Sequence, residues 1–155
     1  MSKLTPFLWF DDNLEDALAF YTSVFEDSEV MEVSRTGDAT TDPIFSATFR
    51  ILGQELRAIN GGPHFRFTEA ISLFVDCGDQ AEVDYLWERL TEGGQPSQCG
   101  WLRDRFGLSW QIIPRRLMEL LGDPDPAAAA RVQEAMLRMG RIDIAALEAA
   151  RAELV

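Results

Sequence analysis

Histidine and cysteine are nearly missing from this chain, and the shortage removes several chemistries at once. The one imidazole, His64, has no second histidine with which to build a nitrogen site for a transition metal. A serine triad would need that same His beside a Ser and an acid, and no Gly-x-Ser-x-Gly elbow occurs. Cys77 and Cys99 are too few for a disulfide framework, which points to a reduced, cytoplasmic chain with buried, inert thiols. Basic residues are also short: 14 Lys and Arg against 26 Asp and Glu give a net charge of −12. Without clustered cations the chain has no general affinity for nucleic acid, and anionic membranes repel it. No stretch approaches the roughly 20 apolar residues of a membrane span. The opening MSKLTPFLWFDD lacks the long apolar run of a signal peptide.

What is present is a core. With 155 residues and 46% hydrophobic content, the chain can bury roughly 70% of its unfolded surface. Leu4–Phe10 reads as a strand. Asn13 is expected to cap a helix in which Leu14, Ala17, Leu18, Tyr21 and Phe25 recur at helical spacing. Strands are expected at Ser28–Thr36, across the alternating Phe45, Ala47, Phe49 and Ile51, and at Glu55–Ile59. After Asn60-Gly61-Gly62-Pro63 the order repeats. Ile71–Val75 is a strand, and Asp79 with Glu82 opens a helix as a capping box. Gly93-Gly94 ends it, and up to three strands follow. At an offset of 66, Ala17, Phe20, Tyr21 and Val24 fall on Val83, Leu86, Trp87 and Leu90. Units this small cannot bury a sheet face alone, so their pairing is expected. After Pro114 come a short helix at Leu117–Leu121, an Ala-rich helix started by Asp125-Pro126, and a last helix from Asp143 through Leu154.

The most informative stretch is Cys99–Pro114, CGWLRDRFGLSWQIIP. Two runs, Cys99–Arg103 and Leu108–Ile113, flank an Asp-Arg-Phe-Gly turn, the pattern of a β-hairpin. Pleating puts Cys99, Trp101 and Arg103 on one face, and Ser109, Gln111 and Ile113 on one face of the partner strand. The hairpin is either plain core with a polar edge or the wall of a ligand cavity, since pockets combine apolar surface with a few placed polar groups. Asp104 is expected to bond the amides of its own turn.

These residues also carry a resemblance. Asp16–Tyr21, Asn60–Pro63, Glu69–Leu73, Val83–Trp87, Gly93-Gly94 and Cys99–Pro114 resemble the PhnB-like group, also known as 3-demethylubiquinone-9 3-methyltransferase-like. That group falls in the vicinal oxygen chelate superfamily of glyoxalase I and bleomycin-resistance proteins. The resemblance covers about residues 4–114, and the tail pattern from Ala135 to Ile144 resembles members with such an extension. It implies an α+β fold of paired βαβββ modules with a C-terminal helical extension. The expected divisions are 1–62, 63–115 and 116–155, the first two together forming one domain. It also implies a U-shaped cavity in which metal-dependent relatives keep four ligands. Those positions map to about Pro6, near Asn60, near Ala70, and to Gln111. Pro and Ala have no side-chain donor, so no metal and no other cofactor is expected.

The cavity candidates are Gln111, Trp101, Arg103, Ser109, Asn60 and His64. The leading expectation is a homodimer that binds an unidentified small molecule in a metal-free cavity. One alternative is an enzyme using Gln111, His64 or Asp104, although no catalytic residue is assigned. The methyltransferase description finds no support in these residues, because Gly61-Gly62 and Gly93-Gly94 do not open helices after strands. The other alternative is a structural or regulatory dimer whose Met136- and Met139-bearing tail contacts a partner.

Overall fold

The computed structural model describes residues 3–153. The chain forms two compact units, Met1–Phe67 and Thr68–Val155. Each contains a strand, a helix and three more strands, so the repeat expected from the offset of 66 is present.

In the first unit, β1 (Phe7–Phe10), α1 (Leu14–Val24), β2 (Ser28–Arg35), β3 (Ile44–Ile51) and β4 (Gln54–Asn60) build a sheet of order β1-β4-β3-β2. β1 runs parallel to β4, and the other pairs are antiparallel. Alternation in β3 and β4 sends Ala47, Phe49, Ile51, Leu56 and Ala58 inward. They meet Ala17, Phe20, Tyr21 and Val24 of α1, all buried. Tyr21 and Phe49 stack at 6.4 Å, with their rings 9° from parallel.

The helix start corrects one expectation. Asn13 precedes α1 but its side chain makes no cap bond. The cap comes from Asn60, whose Oδ1 accepts from the Leu14 amide at 3.0 Å while its Nδ2 donates to the Ile44 carbonyl at 2.9 Å. The rest of the Asn60–Pro63 motif seats Trp9. Its indole N–H donates to the Gly62 carbonyl at 2.9 Å, and its ring meets Phe65 edge-on at 4.9 Å. A Cβ on Gly61 would stand 2.3 Å from that ring, so only glycine fits beneath it.

The second unit repeats this plan with β5 (Ser72–Cys77), α2 (Gln80–Thr91), β6 (Gln95–Pro96), β7 (Trp101–Arg103) and β8 (Ser109–Pro114), in the order β5-β8-β7-β6. Val83, Leu86, Trp87 and Leu90 are the buried stripe of α2, as the repeat required. Asp79 accepts from the Glu82 amide at 2.9 Å, and Glu82 answers by accepting from the Gly78 amide, one residue before the cap. Cys77 is fully buried, and that burial, reinforced by Glu82, Asp76 and Asp79, pushes its thiol up to about 12. Its sulfur is therefore no nucleophile at neutral pH.

The expected strand from Cys99 is corrected: β7 begins at Trp101. Cys99 lies in the left-handed region at φ 60°, and its amide donates to the Met139 carbonyl at 2.7 Å. The Gly100 amide likewise donates to Gly140 at 2.9 Å. Both bonds reach into the tail, which consists of α3 (Arg115–Leu121), α4 (Pro126–Leu137) and α5 (Ile144–Ala152). Asp125 and Asp143 cap the last two helices as expected. Leu154, the expected end of the last helix, lies outside the described residues. Ile113, Leu117, Leu120, Val132, Ile142 and Leu147 form one buried cluster, with Met136 and Met139 packed against it. The tail therefore belongs to the core of its own second unit. Gln80, at the start of α2, ties it further by donating to the Ile142 carbonyl and accepting from the Ile144 amide.

Charge pairs close the tail at its rim. Glu148 bonds Arg116, and that bond lowers its pKa. Asp123 is lowered first by the Asp125 amide and then by Arg151, whose Nε lies 2.6 Å away. A carboxylate depressed on folding stabilises the fold above its unfolded pKa and stops doing so as the pH falls through its folded one. The melting midpoint is therefore expected to drop as the pH goes below about 4. Gln at both positions should flatten that dependence in thermal melts across the acid range.

Candidate functional site

Each sheet carries its helix on one face and leaves the other open. In the second unit the open face is set by register. One cross-strand row runs Ser72, Ser109, Arg103, Gln95, and the next runs Phe74, Gln111, Trp101. Four candidates from the sequence thus come together on one surface: Trp101, Arg103, Ser109 and Gln111. Trp110 and Ile112, on the opposite face, are buried toward α2.

The hairpin is held by Asp104, which is 3% exposed. Its Oδ1 accepts from the Phe106 and Leu108 amides at 2.9 and 3.1 Å, and its Oδ2 accepts from Trp110 Nε1 at 2.9 Å. Both oxygens are occupied in building the turn. Asp104 therefore serves structure, as expected of an Asp in a turn, and is poorly placed to exchange a proton with a substrate.

A hollow of about 160 Å³ lies at the Arg103 end, lined by Glu69, Gln95, Ser97, Trp101, Arg103 and Ser109 among others. Ser109 is 0% exposed, and its Oγ has no hydrogen-bond partner. A buried hydroxyl without a partner from the chain costs roughly 1–3 kcal/mol. Gln111 donates from Nε2 to Ser72 Oγ at 2.9 Å. Arg103 reaches Glu69 at 3.7 Å with both side chains half-exposed, a pairing worth at most about 1 kcal/mol and readily given up. The site offers a cation and an indole around a small void, with the Ser109 hydroxyl buried in its wall.

The remaining candidates belong to the first unit. Asn60 is committed to α1 and to Ile44, as described above. His64 is exposed in the segment after Pro63. Sequence reasoning passed over Glu69, whose pairing with Arg103 nothing in its local pattern signals.

The family's metal positions do not fit a metal in this chain. Pro6 and Ala70 have no side-chain donor, both ends of Asn60 are used, and Gln111 offers one neutral amide oxygen. Among the described residues no three His, Cys, Asp or Glu come together as a ligand set. No helix among them is long and apolar enough to cross a membrane.

Two sheets of matching order, each with the first strand parallel to the last and one helix across, define the paired βαβββ class of the glyoxalase and bleomycin-resistance proteins. A profile of the family described as 3-demethylubiquinone-9 3-methyltransferase matches residues 2–113. The chain belongs to that family, the PhnB-like group. It is similar to a PhnB protein from Bacillus cereus, provisionally described as a 3-demethylubiquinone-9 3-methyltransferase. The two are 34% identical, with 73% of this chain and 99% of that one covered and a TM-score of 0.66. It is also similar to the protein PA1353 from Pseudomonas aeruginosa, at 21% identity, 74% and 98% coverage and a TM-score of 0.63. A fosfomycin resistance protein, FosX from Listeria monocytogenes, matches at 22% identity, 71% and 89% coverage and a TM-score of 0.49. No curated protein gives a significant match.

Proposed function

We propose that this PhnB-like chain binds a small organic molecule, without a resident metal, on the open face of the second sheet. The observation that carries the reading is the unpaired, fully buried Ser109 hydroxyl beside a hollow of about 160 Å³. The ligand would set a flat or apolar part against Trp101 and draw Arg103 away from Glu69 with an acceptor group, and it would bond the buried Ser109 hydroxyl as Arg103, its neighbour in the row, moves. A void of this size also has room for several waters at about 30 Å³ each, so the test must separate ligand from solvent. The family description implies methyl transfer, but no Gly-rich loop between a strand and a helix is available to hold a nucleotide-like methyl donor.

In this reading the protein acts as a homodimer in a reducing cytoplasm, where Cys77 and Cys99 stay as thiols. Light scattering that gives the mass of one 17.4 kDa chain would remove the dimer.

A thermal-shift screen of small polar aromatics and of S-adenosylmethionine tests the binding. A true ligand at 100 times its Kd stabilises by about 2.7 kcal/mol, and Ser109→Ala, by removing one hydrogen bond, should lower that stabilisation by about 1 kcal/mol. Saturable binding of S-adenosylmethionine would instead favour the enzyme. Protection by a screened compound that Ser109→Ala leaves undiminished would place the site elsewhere.

A further inference from the structure

A second site, in the first unit, rests on different residues. The open face of that sheet also carries two cross-strand rows. Phe7, Arg57, Thr48 and Glu32 form one, and Trp9, Ile59, Ser46 and Ser34 form the next. All of these but Trp9 line a hollow of about 550 Å³, within the range of small-molecule pockets. The register between β2 and β3 shifts at Ser34 and Arg35, leaving Phe45 as the extra residue of a bulge. A bulge turns its extra side chain out of the alternation, and Phe45 lines the same hollow. Phe7 is 59% exposed and Phe45 45%, so the hollow has two uncovered aromatic walls.

Its cation is Arg57. Two other arginines of this unit are paired: Arg35 with Glu15 at 3.8 Å and Arg50 with Asp27 at 2.9 Å. No carboxylate among the described residues pairs with Arg57, and Thr48, its neighbour in the row, supplies a hydroxyl beside it. Glu32 lies two strands away, roughly 10 Å by strand spacing, and is likewise unpaired among the described residues. An ionised group that enters the hollow therefore meets a cation at the β1 side and an anion at the β2 side.

We infer that this face binds an organic carboxylate with an aromatic body. The carboxylate sits on Arg57 and Thr48, the ring lies between Phe7 and Phe45, and Glu32 sets the limit on charge at the far side. The planar guanidinium suits a carboxylate in two-point contact. The site is built from residues of the first unit alone and goes beyond the binding proposed for the second sheet.

The test is NMR titration of the full chain with 4-phenylbutyrate at millimolar concentration, with the neutral 4-phenylbutanamide as control. Saturable shifts are expected at the amides of Ser46, Thr48 and Ile59 and at the Arg57 Nε–H. The amide analogue should bind at least roughly tenfold more weakly, and Arg57→Gln should cost the carboxylate a similar factor, as loss of a charge-assisted bond does. Glu32→Gln should tighten binding by roughly threefold, because it removes a repelling charge about 10 Å away. In the Ser109→Ala chain the Ser46, Thr48 and Ile59 amide shifts should titrate as in wild type, which separates failure here from failure of the first reading. No saturation, equal binding of acid and amide, or unchanged affinity in Arg57→Gln would each overturn the proposal.

Discussion

Replacing Asp104 with alanine is expected to cost about 3–5 kcal/mol of stability. The carboxylate is the acceptor for the Leu108 amide and the Trp110 indole, both buried, and for the Phe106 amide. Its removal leaves those donors facing an apolar interior at roughly 1–3 kcal/mol each, less whatever water can enter. Asp104→Asn keeps an oxygen for the two amides but turns an N–H₂ toward the Trp110 N–H, so donor meets donor. It should fall between wild type and Asp104→Ala, at about 2–3 kcal/mol. Urea denaturation followed by tryptophan fluorescence measures both. A loss under about 1 kcal/mol in the alanine variant would show that water replaces the carboxylate there. It would also show that the hairpin is held by its apolar residues instead.

The second large effect belongs to the tail. Val132, Ile142 and Leu147 are each 0% exposed in the cluster that also buries Ile113, Leu117 and Leu120. Fully burying such a side chain is worth about 1.5–3 kcal/mol. Deleting residues 123–155 removes all three and uncovers their partners, a loss comparable to the whole stability of a typical domain, about 5–15 kcal/mol. The second unit should fail to fold in that truncation. Leu147→Ala, a milder change, should cost about 2–5 kcal/mol. Its local signature is faster hydrogen exchange at the Cys99 and Gly100 amides, which donate to Met139 and Gly140. A truncation with native melting and unchanged exchange would contradict this packing and leave the tail free for a partner.

Much of this architecture is legible in the sequence because it follows local periodicity. The buried stripes of both helices, the shared face of Trp101 and Arg103, the Asp104 turn and the Asp125-Pro126 start all follow from spacing within a few residues. The misses share one cause: the deciding partner is far along the chain. Asn13 has the right residue type for a cap, but Asn60, 46 residues beyond Leu14, does the capping. Cys99 continues the strand's alternation, yet bonds to Met139 and Gly140 hold that segment in a left-handed turn. Ser109 is one polar residue among several on its face, and its lack of a partner exists only once every neighbour is placed. Arg57 sits in β4 among alternating residues, and only the registers with β1 and β3 set it beside Phe7 and Thr48.

Ser109→Ala is the most direct measurement of the central claim. In the free protein the substitution removes an unpaired buried hydroxyl, so urea denaturation should find the variant more stable by about 1 kcal/mol, while protection by any ligand found in the screen falls by about as much. A variant less stable than wild type, or one that keeps the ligand's full protection, would contradict the claim that this hydroxyl waits for a bound molecule.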